Sequence, residues 1–97
     1  MSKNFYEDFG VTAAKSIYSS HTGWVIDVDW SKTNENLFVS ASYDKLLKMW
    51  DLRSLKAPLY DLHGHEDRLL CCDWTNPDLV ASGGADNNIK LFRCSKM

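Results

Sequence analysis

Apolar residues along this chain cluster in short runs separated by polar turn formers. The runs are Trp24 to Trp30, Leu37 to Ser42 and Leu46 to Leu52, then Leu69 to Trp74, Leu79 to Ser82 and Ile89 to Cys94. Between them lie Ser31 to Asn36, Tyr43 to Lys45, Thr75 to Asp78 and Gly83 to Asn88. Runs of this length, punctuated this way, predict β-strands joined by hairpin turns. In the first run Ile26, Val28 and Trp30 alternate with Asp27 and Asp29, the period-two pattern of a strand with one apolar face. Pro58 to Leu62 predicts a further strand, and Ser16 to Ser19 another ahead of the first histidine. No segment carries a helical period. Residues 1–15 are expected to form a disordered arm, and residues 16–97 the folded part.

The runs repeat. His21 to Trp30 reads HTGWVIDVDW and His65 to Trp74 reads HEDRLLCCDW, an offset of 44. Phe38 to Trp50 and Val80 to Phe92 align at an offset of 42, so the second copy is two residues shorter between its segments. A period of about 40–45 residues marks a stacked or radial array of supersecondary units, each burying its apolar face on a neighbour. In strand letters the order is d-a-b-c-d-a-b-c.

Composition narrows the function classes. The chain has 97 residues with 44% hydrophobic residues, which is globular rather than disordered. Its formal net charge of -2 argues against a polyanion-binding arm. No apolar run approaches the roughly 20 residues that cross a bilayer. Glu7 and Asp8 fall where a signal peptide would be apolar, which argues against secretion. Cys71, Cys72 and Cys94 cannot all pair within the chain, so they read as reduced thiols of a cytosolic or nuclear protein. No basic run of a nuclear-import type is present.

Two chemistries invite a test. His63, His65, Cys71 and Cys72 include the residue types of a zinc site, but neither the Cys-x₂₋₄-Cys nor the His-x₃₋₅-His spacing. The expectation is no metal and no cofactor, with Cys71 and Cys72 on opposite faces of a strand and Cys72, aligned with Val28, in a core slot. Trp30 and Trp74 close the a-strands as packing residues. Ser, His and Asp recur at matched places, yet the oxyanion site and pocket of a nucleophilic triad have no counterpart. No catalytic residue is expected.

With His21, Ser40, Asp44 and Trp50-Asp51 in one copy, and Gly64-His65, Ser82, Asp86 and Phe92-Arg93 in the other, the chain resembles the WD-repeat family. The resemblance implies an all-β fold: a partial WD-repeat β-propeller of about two four-stranded antiparallel blades, not closed, with repeat cores His21–Asp51 and His65–Arg93. It also implies a structural tetrad. His21 can donate to Asp44 and accept from Ser40, while Trp50 donates to Ser40. The second tetrad is His65, Ser82, Asp86 and Phe92, in which Phe has no N–H to give and the blade is expected to be weaker. The turn Asp86-Asn87-Asn88 suits the b–c hairpin because Asn tolerates positive φ, whereas Asp44-Lys45 suits it less well because Lys carries a backbone cost there. Side chains at the strand-a start and the b–c turn of such propellers tend to reach the rim of one face. Trp24, Tyr43, Glu66 and Arg68 are therefore the candidate partner contacts; the alternative is that Trp24 and Tyr43 only cover neighbouring side chains.

A narrower resemblance runs through Ser20 to Val25, Lys56 to Leu62, His65 to Asp67 and Ser82 to Asn87. These stretches are similar to the last two blades of the ribosome-biogenesis WD-repeat proteins of the PeBoW complex. That implies a scaffold in large-subunit maturation and rRNA processing, in the nucleus and nucleolus. The implied partners are a pescadillo-like protein and a second propeller protein in pre-60S particles, with no membrane and no direct sequence-specific nucleic acid contact. Nothing corresponds to that family's N-terminal ubiquitin-like domain, so no activity of that domain is carried over. The alternative is a generic WD-repeat scaffold with unrelated protein partners.

Propellers close with 4–8 blades. One full blade, three strands of a second and an isolated strand leave apolar faces and edges uncovered. The expectation is a piece of a longer propeller. A second reading is a homo-oligomer, in which the strand at Ser16 to Ser19 completes the second blade of a neighbouring copy.

Overall fold

The computed structural model describes residues 15–17 and 19–93; the expected arm falls almost wholly outside them. Seven strands run in chain order: β1 (Val25–Trp30), β2 (Leu37–Ser42), β3 (Leu47–Asp51), β4 (Tyr60–Leu62), β5 (Leu69–Asp73), β6 (Leu79–Gly84) and β7 (Ile89–Arg93). They form two antiparallel meanders, a four-stranded sheet β1-β2-β3-β4 and a three-stranded sheet β5-β6-β7. The all-β, unclosed, two-blade reading therefore holds, with three strands in the second blade among the described residues.

Local chemistry sets the turns. Ser31 Oγ accepts from the Thr33 and Asn34 amides and bends the β1–β2 connection. Between β2 and β3 the Lys45 amide bonds the Ser42 carbonyl, and Lys45 sits at φ 77°. Between β6 and β7 the Asn87 amide bonds the Gly84 carbonyl, and Asn87 sits at φ 66°. Both are hairpin loops that end in a left-handed residue. Lys meets the strain that sequence reasoning assigned to it, and Asn adopts the conformation at lower cost.

The two sheets stack face to face. Leu37, Val39, Ala41, Leu47 and Met49 of the first pack against Leu69, Cys72, Trp74 and Val80 on the second, with Ile26, Leu62 and Phe92 at the margins. Full burial of each large side chain contributes about 1.5–3 kcal/mol. Burial also holds the Cys72 thiol well above the ordinary cysteine range, with the nearby Asp27 and Asp29 carboxylates adding to the effect. It behaves as a small apolar residue.

Four expectations need correction. Residues 15–17 and 19–20 are helical, not a strand. The His21 amide bonds the Ile17 carbonyl at 3.1 Å, and Ser19 Oγ donates to the Lys15 carbonyl at 2.8 Å. A d-strand needs the edge of a c-strand. The outer edge of β3 is taken by β4, so this backbone satisfies itself locally. Ile17 instead packs on Phe38 and Trp50. The homo-oligomer built on strand exchange loses its strand.

The other three corrections concern β1. The register shifts between Val25 and Asp27, and the same shift recurs between Leu69 and Cys71. Asp27 and Asp29 therefore turn toward the second sheet rather than to solvent. Asp27 Oδ2 accepts the Cys72 amide at 3.0 Å, and Asp29 Oδ2 accepts the Trp74 amide at 2.7 Å. Val28 is exposed although its counterpart Cys72 is buried. Trp30 is likewise exposed where Trp74 is buried, though its ring lies 4.7 Å from that of Phe38. Cys72 and Trp74 rest on a neighbouring sheet, and among the described residues Val28 and Trp30 have none.

Leu69 is fully buried in the inter-sheet core and Leu59 is exposed. Leu69→Ala is expected to cost about 2–5 kcal/mol and Leu59→Ala well under about 1 kcal/mol, read from urea unfolding followed by tryptophan fluorescence.

Candidate functional site

Four side chains meet at the start of the first blade. The loop before β1 carries His21, β2 carries Ser40, the β2–β3 turn carries Asp44 and β3 carries Trp50. His21 Nδ1 lies 2.8 Å from Asp44 Oδ2, and His21 Nε2 lies 2.7 Å from Ser40 Oγ. A carboxylate only accepts, so Nδ1 holds the imidazole proton and Nε2 accepts from the Ser40 hydroxyl. Trp50 Nε1 then donates to the same Oγ at 2.9 Å. Asp44 also takes the Thr22 and Leu46 amides at 3.0 Å each, which ties loop to turn. Gly23 belongs to this knot: a Cβ there would stand 2.8 Å from the Asp44 amide nitrogen.

The second blade repeats the arrangement with one member missing. His65 Nε2 lies 2.7 Å from Ser82 Oγ, and Nδ1 is shared between the two Asp86 oxygens at 3.1 and 3.2 Å. Asp86 takes the Glu66 and Asn88 amides as well. Phe92 supplies no donor, so among the described residues Ser82 Oγ keeps a single partner where Ser40 has two. Gly84 is a second close approach, since a Cβ would meet His65 Nδ1 at 2.5 Å.

Burial pushes the His21 pKa below its ordinary 6.5 against the opposing pull of Asp44, so the ring is held neutral. Burial alone would raise Asp44, but its bonds to His21, Leu46 and Thr22 outweigh this and hold its carboxyl below the ordinary 3.8. The Glu66 amide, seconded by His65 and Asn88, holds Asp86 far below that range. An Arg53 fork on Asp51, with bonds of 2.6 to 3.2 Å, pulls that carboxyl down too.

The rim candidates lie around the same loops. Trp24 is 75% exposed and Tyr43 42%. The Tyr43 amide bonds the Trp24 carbonyl at 2.8 Å, so the two aromatics are neighbours. The Arg68 guanidinium stands 5.4 Å above the Tyr43 ring, a cation–π contact that bridges the two blades. Glu66 and Asp67 are exposed beside it. The structure thus gathers Trp24, Tyr43 and Arg68 around the seam between the sheets, while the tetrads lie buried beneath.

Sequence reasoning missed Asp27 and Asp29 as bonds between blades, and Lys48. The Lys48 side chain is buried and pairs with Asp61 at 2.9 Å, which fastens β4 to β3. The signal for Asp29 was present in the recurrence of Asp-Trp at Asp29-Trp30 and Asp73-Trp74. As for other chemistry, Ser40 and Ser82 are buried with Oγ already engaged, whereas a nucleophile has to be reachable. Among the described residues no three of His, Cys, Asp and Glu converge as a metal site, and no helix is long and apolar enough to cross a membrane.

Two stacked antiparallel meanders, each locked by a His–Ser–Asp network, define blades of a WD-type propeller. The family described as WD domain, G-beta repeat, matches residues 13–51 and 56–93, and the chain belongs to it. Among curated relatives, the "Ribosome biogenesis protein WDR12 homolog" of Aedes aegypti is 54% identical over 82 residues, covering 84% of this chain and 19% of that protein. The proteins of the same name from Culex quinquefasciatus and Ixodes scapularis are 54% and 52% identical. The chain spans about a fifth of the length of these relatives.

Ser40→Ala strands both His21 Nε2 and the Trp50 N–H, and is expected to cost about 2–5 kcal/mol; Ser82→Ala strands one group and costs about 1–3 kcal/mol. Chemical denaturation of the two variants checks the order. Acid is expected to destabilise the fold in two stages. The unfolded chain takes a proton on His21 near 6.5 that the folded chain refuses, so stability falls as pH drops below that value. Asp44 and Asp86 contribute stability present above about 3.8 and lost as pH falls through their lowered values. Melting temperature measured from pH 8 down to about pH 1.5 follows the first stage and then the second.

Proposed function

We propose that this pair of WD blades is a non-catalytic protein-interaction platform in ribosome biogenesis, acting in the nucleus and nucleolus on the large subunit and its rRNA. The observation that carries it is the exposed seam of Trp24, Tyr43 and Arg68 on a rigid, hydrogen-bonded base, in a chain about half identical to proteins named for ribosome biogenesis. Trp, Tyr and Arg are the residues most often responsible for binding energy at protein interfaces. Ser40 and Ser82, the serines of the two networks, are buried with Oγ already engaged, which supports the non-catalytic reading. The partners are a pescadillo-like protein and a second propeller protein, and the mixed charge of Glu66, Asp67 and Arg68 suits a protein surface better than a nucleic acid.

Affinity purification of the chain from nuclear extract tests the reading. Recovery of a pescadillo-like protein and large-subunit precursors is expected, with a tenfold or greater loss of affinity for Trp24→Ala and a smaller loss for Glu66→Ala. Recovery of unrelated proteins alone would sink it.

A further inference from the structure

A cavity of about 390 Å³ lies between the helical residues ahead of His21 and the loop that joins β3 to β4. Lys15, Ser16 and Ser20 line it on the first side, and Leu55, Lys56 and Pro58 on the second. It shares no lining residue with the two networks or with the seam of Trp24, Tyr43 and Arg68. Both walls are fixed. Ile17 from the first and Leu55 from the second pack into one apolar cluster with Phe38 and Trp50. The first wall is braced by Ser19 Oγ on the Lys15 carbonyl and by the His21 amide on the Ile17 carbonyl. The second is held by the Arg53 fork on Asp51, the Ser54 amide on the Asp51 carbonyl and the Leu59 amide on the Met49 carbonyl. The concavity is therefore formed before any ligand arrives.

Its chemistry is one-sided. Each wall carries an ammonium group, Lys15 on one and Lys56 on the other, and neither pairs with a described carboxylate. Ser16 and Ser20 are half-buried, and their hydroxyls bond no described residue. Among the described residues no Asp or Glu lines the cavity. Unopposed positive charge with free hydroxyl donors, in a concave site, attracts an anion. A phosphomonoester brings a charge of about −1.5 to −2 and three acceptor oxygens. Two ammonium groups and two hydroxyls match that better than the single charge of a carboxylate. Lysine meets phosphate as a point charge and needs no planar fork. A nucleic acid backbone calls instead for a stripe of cations along successive phosphates. Here the neighbouring Arg53 is already spent on Asp51, and the chain carries a net charge of -2.

We propose that this cavity takes a phosphorylated serine or threonine of a protein partner, its phosphate held between Lys15 and Lys56 and bonded by the Ser16 and Ser20 hydroxyls. Leu55 and Pro58 give the residues beside the phosphate an apolar wall to lie on. The site makes binding depend on modification of the partner. The inference is independent of the partners proposed above.

The full 97-residue chain is titrated with acetyl-phosphoserine amide and followed by amide chemical shifts. Saturable shifts at Ser16, Ser20 and Lys56 are expected, with a Kd on the order of 1 mM. Lys56→Ala, a change at an exposed position, is expected to weaken binding about tenfold with the remaining spectrum intact, while Lys56→Arg keeps it within about threefold. Lowering the pH from about 7.5 to about 5.5 is expected to weaken binding too, because the phosphate takes up its second proton near about 6. No saturation by about 20 mM overturns the proposal. So do shifts indifferent to Lys56→Ala. Inorganic phosphate that binds as tightly as phosphoserine reduces the cavity to a bare anion site and overturns it. A single-stranded RNA oligomer that moves the same amides at lower concentration assigns the site to nucleic acid and overturns it equally.

Discussion

A β-sheet that is apolar on both faces has to be covered twice, and every other feature of this molecule follows from how far that is met. The first sheet meets it on one side with the second sheet and in part on the other with Ile17. Leu37, Phe38, Val39, Ala41, Ser40 and Ser42 are all buried, the pattern of a strand with no solvent side. β7 alternates exposed with partly buried positions, because among the described residues only one of its faces has a neighbour. Strands of like sequence thus differ in burial by position in the stack, not by propensity.

Burial on both faces leaves the loop ends of the sheet as the place where polar groups can be joined. There the Asp44–His21–Ser40–Trp50 chain links four segments distant in sequence through groups that are fully paired. Such a network contributes little per bond and becomes costly once one member is removed. It keeps the loops rigid, and the exposed Trp24, Tyr43 and Arg68 are mounted on those same loops. Core, network and rim are successive layers of one arrangement.

Much of this was legible in the chain. Strand runs and the double period located both sheets, because period-two patterning is a local property of residues; the members of both networks were implied by the resemblance to the WD-repeat family, at places where His, Ser and Asp recur. The missing donor at Phe92 and the strained Lys45 could be read for the same reason. What could not be read depends on neighbours. Asp27 and Asp29 looked like the wet side of a strand until the bulge after Val25 and the docking of β5 gave them backbone amides to accept. Ser16 to Ser19 looked like a strand because a short polar-apolar run does not say whether an edge is available to pair with. Tyr43 and Arg68 were both singled out, but their stacking across the seam needs the fold.

The single vacancy in the second network also sets an order of events. Among the described residues Ser82 Oγ has one partner, β7 has a neighbouring strand on only one side, and three of the five β7 side chains are exposed. Local opening costs least where contacts are fewest, so amide protons of β7 exchange with solvent before those of β2 and β3. β5 is clamped to the first sheet by Asp27 and Asp29 and exchanges late with it. The described sheets therefore loosen first at β7, which peels while the seam between them stays shut.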